Sequence, residues 1–254
     1  MSLRQRVPVS EMRIERPREE ALGAVAFALA YVLTAVATGL LVRAYPIPIL
    51  GASEFTQDFW YEALFKGALL LVLPFAWLRA VGYRFADFSP GFRPGPRSSV
   101  VLVALFLAGN LLNLGHLGPI RDAMERFPAG GVALRLVVGL FLPLLTAAIP
   151  EEVVYRGILQ TRLEKVLGRV GAILISVALF VAWHLPTRWL LAHGSEGRAG
   201  DAASVLLQTG LPVGIVGLAF ALAWDRWRNL PALVAVHWGI DLLPAIRSLL
   251  GDRF

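Results

Sequence analysis

The sequence predicts an all-α fold, a polytopic membrane helical bundle of about seven to eight transmembrane helices. Three observations carry that expectation. First, 57% of the 254 residues are hydrophobic and only 17% are charged, with a mean hydropathy of +0.64; soluble domains run at about 45–50% apolar and about 25% charged. Second, apolar runs recur at about the 20-residue length that crosses a hydrocarbon core roughly 30 Å thick. Third, no run alternates at period two, as the strands of a membrane β-barrel would.

Taken in order, spans are expected near 21–42, 59–79, 98–115, 132–149, 170–192, 204–224 and 231–250. The first follows a tail of mixed charge and is long enough to span, so it reads as a retained helix and not a cleaved signal. Segment 151–166 fits none of the seven. It is amphipathic and begins just after Pro150, which suits the first turn of a new helix or a kink in a continuing one. If this segment, or a half-helix near 185–193, enters the membrane, the count becomes eight. "SPGFRPGPRSS" (89–99) is a Pro/Gly/Arg hinge. It separates residues 1–97, a tail with two spans, from a helical core at 98–254.

Loop charge predicts orientation. Arginines crowd the N-terminal tail (Arg4, Arg6, Arg13, Arg16, Arg18), the 79–97 loop, the segment carrying Arg162, Lys165 and Arg169, and the 225–229 loop. The intervening loops hold fewer. The positive-inside rule then puts the N-terminus in the cytoplasm of a multi-pass plasma (inner) membrane protein. The same rule accounts for the net charge of +6 with the lipid bilayer as partner and no nucleic acid. No cysteine is present, which excludes disulfides, zinc–thiolate sites and cysteine nucleophiles.

Ionisable groups inside apolar spans point to function by default, and three clusters stand out. In "PEEVVYRG" (150–157), Glu152 and Arg156 are four apart and can pair on one helix face. Glu151 points about 100° away. Without a local cation it has the makings of a general base. In "FVAWH", His184 lies one turn beyond Phe180. In "HWGID", His237 and Asp241 again share a face. Each cluster alone also reads as helix-packing polarity; together they form a plausible hydrolytic or metal constellation. Asn110 and Asn113 are expected to make helix–helix hydrogen bonds, and Trp60, Trp77, Trp189 and Trp224 to sit in an interfacial belt. No G-x-S-x-G surrounds Ser176 or Ser204, and H-E-x-x-H is absent.

E-E-x-x-x-R, then F-x-x-x-H, then H-x-x-x-D on three apolar helices resembles the CPBP family, the CAAX proteases and bacteriocin-processing enzymes that include type II CAAX prenyl endopeptidases. The resemblance covers about 132–250. It implies a membrane-embedded protease acting on a membrane-anchored protein or peptide, with Glu151 and His184 activating water. Glu152 and Arg156 would hold the site's shape, and His237 with Asp241 would bind the oxyanion. Prenyl endopeptidases typically carry Asn at the last position. An ionised Asp would repel an oxyanion, so Asp241 is expected either to stay protonated or to orient and charge His237. Glu151, His184, His237 and Asp241 would also serve as zinc ligands; the preferred reading has no cofactor, since no helix offers a standard zincin pair. Three alternatives stay open: a scaffold or bacteriocin-immunity protein, an ion carrier, and a sorting protease of the myxosortase kind. The absence of an internal repeat counts against the carrier.

Overall fold

Prolines set where the helices begin, because the first turn needs no backbone N–H. The computed structural model describes residues 14–44, 72–80, 87, 92–93, 95–125, 128–191 and 201–250, with no strand among them. Helix α1 (Pro17–Ala44) opens on a proline, and its Glu20 accepts from the backbone N–H of Glu15 and Arg16 at 3.2 Å each. Short α2 (Leu73–Ala80) is followed by α3 (Pro96–Leu111) and α4 (Leu117–Met124). Next, α5 (Ala129–Pro143) passes through a first π-turn (Leu144–Ala148), the short α6 (Ile149–Glu151) and a second π-turn (Glu152–Gln160) into α7 (Thr161–Leu191). After α8 (Ala202–Val205) and a third π-turn (Leu206–Gly210), α9 (Leu211–Trp227) and α10 (Leu230–Leu249) complete the bundle.

Four stretches among the described residues are long and apolar enough to cross a membrane, or five if α3 and α4, bent by 64°, count as one span. The expected seven are not reached among them. The span at 59–79 lies largely outside the described residues. The spans at 132–149 and 170–192 belong to one helical run, Ala129–Leu190, which folds back on itself at Gly168. There φ is 71° and ψ is 178°, a conformation that glycine adopts without the cost a side chain brings. The legs on either side meet again: the Ser176 hydroxyl donates to the Tyr155 carbonyl at 2.9 Å, and the Tyr155 ring meets Phe180 edge-on at 5.1 Å.

Segment 151–166, the awkward one, proves central. Every residue from 151 to 163 is buried. Its apolar members, with Leu163, pack among Ala24, Ala28 and Tyr31 of α1, Phe180 and Trp183 of α7, and Phe220 and Trp224 of α9. Trp224 is therefore no interfacial anchor: it is fully buried, and its indole N–H donates to Thr161 at 3.0 Å. The outward faces are apolar, with Leu22, Leu33, Val100, Val170 and Ile215 all exposed, as a lipid-facing surface requires.

At one end, the start of α1, the Gly168 turn and the α9–α10 turn are tied by ion pairs. Arg162 meets Glu20 at 3.0 Å, and Arg169 meets Asp225 at 2.8 Å. Arg228 meets Glu164 and, at 3.9 Å, Asp225. Arg228 has φ 45°, which turns the chain sharply, and Asn229 then caps α10 by accepting from the Ala232 N–H at 3.1 Å.

Helix α10 is seated by close approach to α3. A Cβ on Gly239 would run into the Phe106 carbonyl, and a Cβ on Gly109 into the Val236 carbonyl. Small residues let membrane helices come this near. Asn113 donates across the seam to the Ile240 carbonyl at 2.7 Å, whereas Asn110 donates within its own helix to Phe106 at 3.0 Å. Gly239→Ala is expected to cost at least about 1–3 kcal/mol of stability. Gly118→Ala, where a Cβ meets nothing within 4 Å, is expected to be neutral. Unfolding midpoints in mixed micelles check the pair.

Candidate active site

Two prolines prepare the site. Pro143 and Pro150 each remove a donor from the helical ladder and crowd the carbonyl four residues back, and each is followed within two residues by π-helical winding. A π-turn bonds five residues apart instead of four and is frequent at functional sites. Its wider turn brings the residue at i+5 round to nearly the same face. Arg156, four residues after Glu152 and five after Glu151, thus lies on the side of the turn that carries Glu152 and pairs with it.

Arg156 is buried, and both terminal nitrogens of its guanidinium meet oxygen atoms. Nη1 lies 3.2 Å from Glu152 Oε1, and Nη2 donates to the Gly217 carbonyl at 3.3 Å. The cation sits 4.2 Å from the Phe180 ring centre and 5.5 Å from that of Phe220, close enough for both π faces to stabilise it. Gly217 allows this: a Cβ there would come within 2.9 Å of Phe180.

The three clusters converge. Glu152 Oε1 also accepts from His237 Nδ1 at 2.8 Å, and His237 Nε2 lies 3.2 Å from Asp241 Oδ2. Carboxylates only accept, so each ring nitrogen of His237 faces an acceptor. Glu151 Oε2 stands 3.6 Å from His184 Nε2 and 3.9 Å from His237 Nε2, too far for direct hydrogen bonds. His184 Nδ1 lies 2.7 Å from the Phe180 carbonyl. A carbonyl only accepts, so Nδ1 carries the proton, and in the neutral ring Nε2 turns a lone pair toward Glu151.

Exposure grades the site. The side chains of Glu151, Glu152 and Arg156 are at most 1% exposed, His237 is 7% exposed, His184 20% and Asp241 33%. The opening is therefore at His184 and Asp241, with Glu151 on the floor. No group of three or more His, Asp or Glu side chains that could hold a metal occurs among the described residues, and both nitrogens of His237 face carboxylates.

The seven residues read from the sequence are all present here. Sequence reasoning missed Phe220 and Gly217 on α9, which carry no polar signal, and Tyr155, which the four-residue spacing from Glu151 could have found. A family model described as type II CAAX prenyl endopeptidase, Rce1-like, matches residues 133–243. Residues 133–243 are similar to the domain of that Rce1-like family. The match takes in all seven residues and begins just inside α5. No curated protein and no solved structure matched the chain. The Rce1-like family is one of membrane endopeptidases, and the apolar helices that carry this domain make the chain a multi-pass membrane protein.

Within the Rce1-like domain, removing the cation would leave Glu152 buried beside one imidazole. Arg156→Met is expected to destabilise by about 3–5 kcal/mol. Adding Glu152→Gln should recover part of that loss. Both are read from unfolding in detergent.

Proposed function

We propose that the chain is an intramembrane endopeptidase that hydrolyses a peptide bond near the C-terminus of a membrane-anchored or lipidated protein. One observation carries the reading: a buried carboxylate, Glu151, faces the Nε2 atoms of two histidines across gaps of 3.6 and 3.9 Å. A lone pair and a carboxylate oxygen do not approach each other without a proton between them. A water lying against both can donate one hydrogen to Glu151 and the other to His184.

Glu151 takes one proton as the water oxygen attacks the scissile carbonyl. The carbonyl carbon becomes tetrahedral and its oxygen gains negative charge. His237 donates to that oxygen through Nε2–H, held by Glu152 on the opposite nitrogen. The partly exposed Asp241 turns aside as the substrate oxygen takes its place. Collapse of the intermediate breaks the C–N bond, and Glu151 returns its proton to the leaving amine. Low dielectric around the floor of the site strengthens each of these interactions. Arg156 takes no proton; it fixes Glu152, and Glu152 fixes His237. We assign the N-terminus and the basic turns to the cytoplasmic side of the plasma membrane.

Proteoliposomes holding the chain and C-terminally prenylated reporter peptides test the reading, with fragments identified by mass spectrometry. Glu151→Gln is expected to lower kcat by about 100- to 10,000-fold at equal abundance, and His237→Ala by about 100- to 1,000-fold. Asp241→Asn, which removes a charge and adds an N–H, is expected to stay within about tenfold of wild type. Cleavage that persists unchanged in Glu151→Gln would sink the assignment of the base. If no peptide is cut and no new protein termini arise in cells, the scaffold reading gains.

A further inference from the structure

Tyr155 is the polar side chain beside the reacting groups that the scheme leaves unused. It lies four residues after Glu151 on the second π-turn, and a helical side chain leans back over the turn before its own Cα. The residue is fully buried, and its hydroxyl has no hydrogen-bond partner among the described residues. The hydroxyl lies within electrostatic range of both the Glu151 carboxylate and the Arg156 guanidinium. Its ring meets Phe180 edge-on at 5.1 Å, and Phe180 meets His184 at 4.6 Å. Its backbone is pinned by Ser176.

Packing alone does not account for the oxygen. Phenylalanine would fill the same space without burying a polar group, which is costly when unpaired. Among the described residues, the charged and titratable groups around Glu151 are Glu152 and Arg156 on the same helical run, His184 from α7, and His237 from α10 with its partner Asp241; Tyr31 of α1 meets Trp183 at a tilt, 4.5 Å between ring centres. Glu152 already accepts from His237 and meets Arg156. Glu151 is the carboxylate on the Tyr155 face that the phenol can serve.

We propose that Tyr155 is a positioning residue, its hydroxyl donating a hydrogen bond to the Glu151 carboxylate and fixing the oxygen that faces His184. The phenol keeps its proton and forms no covalent bond. The proposal rests on the reading of Glu151 as the base.

Infrared difference spectroscopy of the full chain in lipid nanodiscs tests it. The Glu151 carboxylate band is assigned by its loss in Glu151→Gln. Tyr155→Phe is expected to shift that band, and 3-fluorotyrosine at 155, a stronger donor of nearly the same size, to shift it the other way. On the prenylated reporter peptide, Tyr155→Phe is expected to lower kcat roughly 3- to 10-fold with KM unchanged. A band that stays in place in both variants overturns the proposal, and so does a shifted band with wild-type kcat. If Tyr155→Phe does not fold, the fluorotyrosine chain carries the same test alone. The band needs no turnover, so a wild type that cuts nothing while the band shifts removes the protease reading and leaves the hydrogen bond standing.

Discussion

A guanidinium inside a membrane protein needs an anion, acceptors and a polarisable wall, and Arg156 has all three. Its pairing with Glu152 is the contact on which the rest of the site depends. Burying either charge alone would cost several kcal/mol. Together they are held by the Gly217 carbonyl, two aromatic faces and the imidazole of His237. Those partners come from three helices, α7, α9 and α10. One ion pair thereby specifies how the second π-turn, α7, α9 and α10 stand relative to one another.

The fold supplies that pair with fixed walls. Gly168 doubles the chain back so that His184 on α7 faces Glu151 across the hairpin. On the far side, Gly109 and Gly239 let α3 and α10 meet at backbone distance. Gly239 lies two residues from both His237 and Asp241, about 200° round the helix from each. The face of α10 that touches α3 is therefore opposite the face that carries the chemistry. Pressing α10 onto α3 sets the depth of His237 without crowding it.

How much of this was legible in the sequence follows from which signals are local. Hydropathy and run length gave the helical membrane class, and four-residue spacing gave the Glu152–Arg156 and His237–Asp241 pairs. Those pairs are properties of one helix, so periodicity finds them. The burial of 151–163 was not legible, because a segment with Glu, Arg, Gln and Thr on several faces resembles a surface helix until its partners are known. Trp224 misled for the same reason: its place near a span end suits an interface, but its N–H is used by Thr161, which comes from another helix. The π-winding was masked as well. Pro150 signals a local disturbance, and either a kink or a new start would satisfy that signal.

Aspartate at position 241 adds a third carboxylate to a site whose described cations are Arg156 and a doubly donating His237. In the proposed reaction a developing oxyanion adds more negative charge still. Glu151 and Glu152 cannot leave, being buried on the floor. Asp241 can, because it stands at the opening and is one-third exposed. It satisfies His237 Nε2–H at 3.2 Å, so that buried donor does not go unpaired. In the proposed reaction, when a carbonyl oxygen arrives, the same donor changes partner and the displaced carboxylate is solvated at the mouth. An asparagine in that place would donate to the oxyanion directly. On the proposed mechanism the aspartate instead keeps His237 aimed until the substrate takes over its hydrogen bond, so the charge that looks wrong for an oxyanion site does its service before the oxyanion forms.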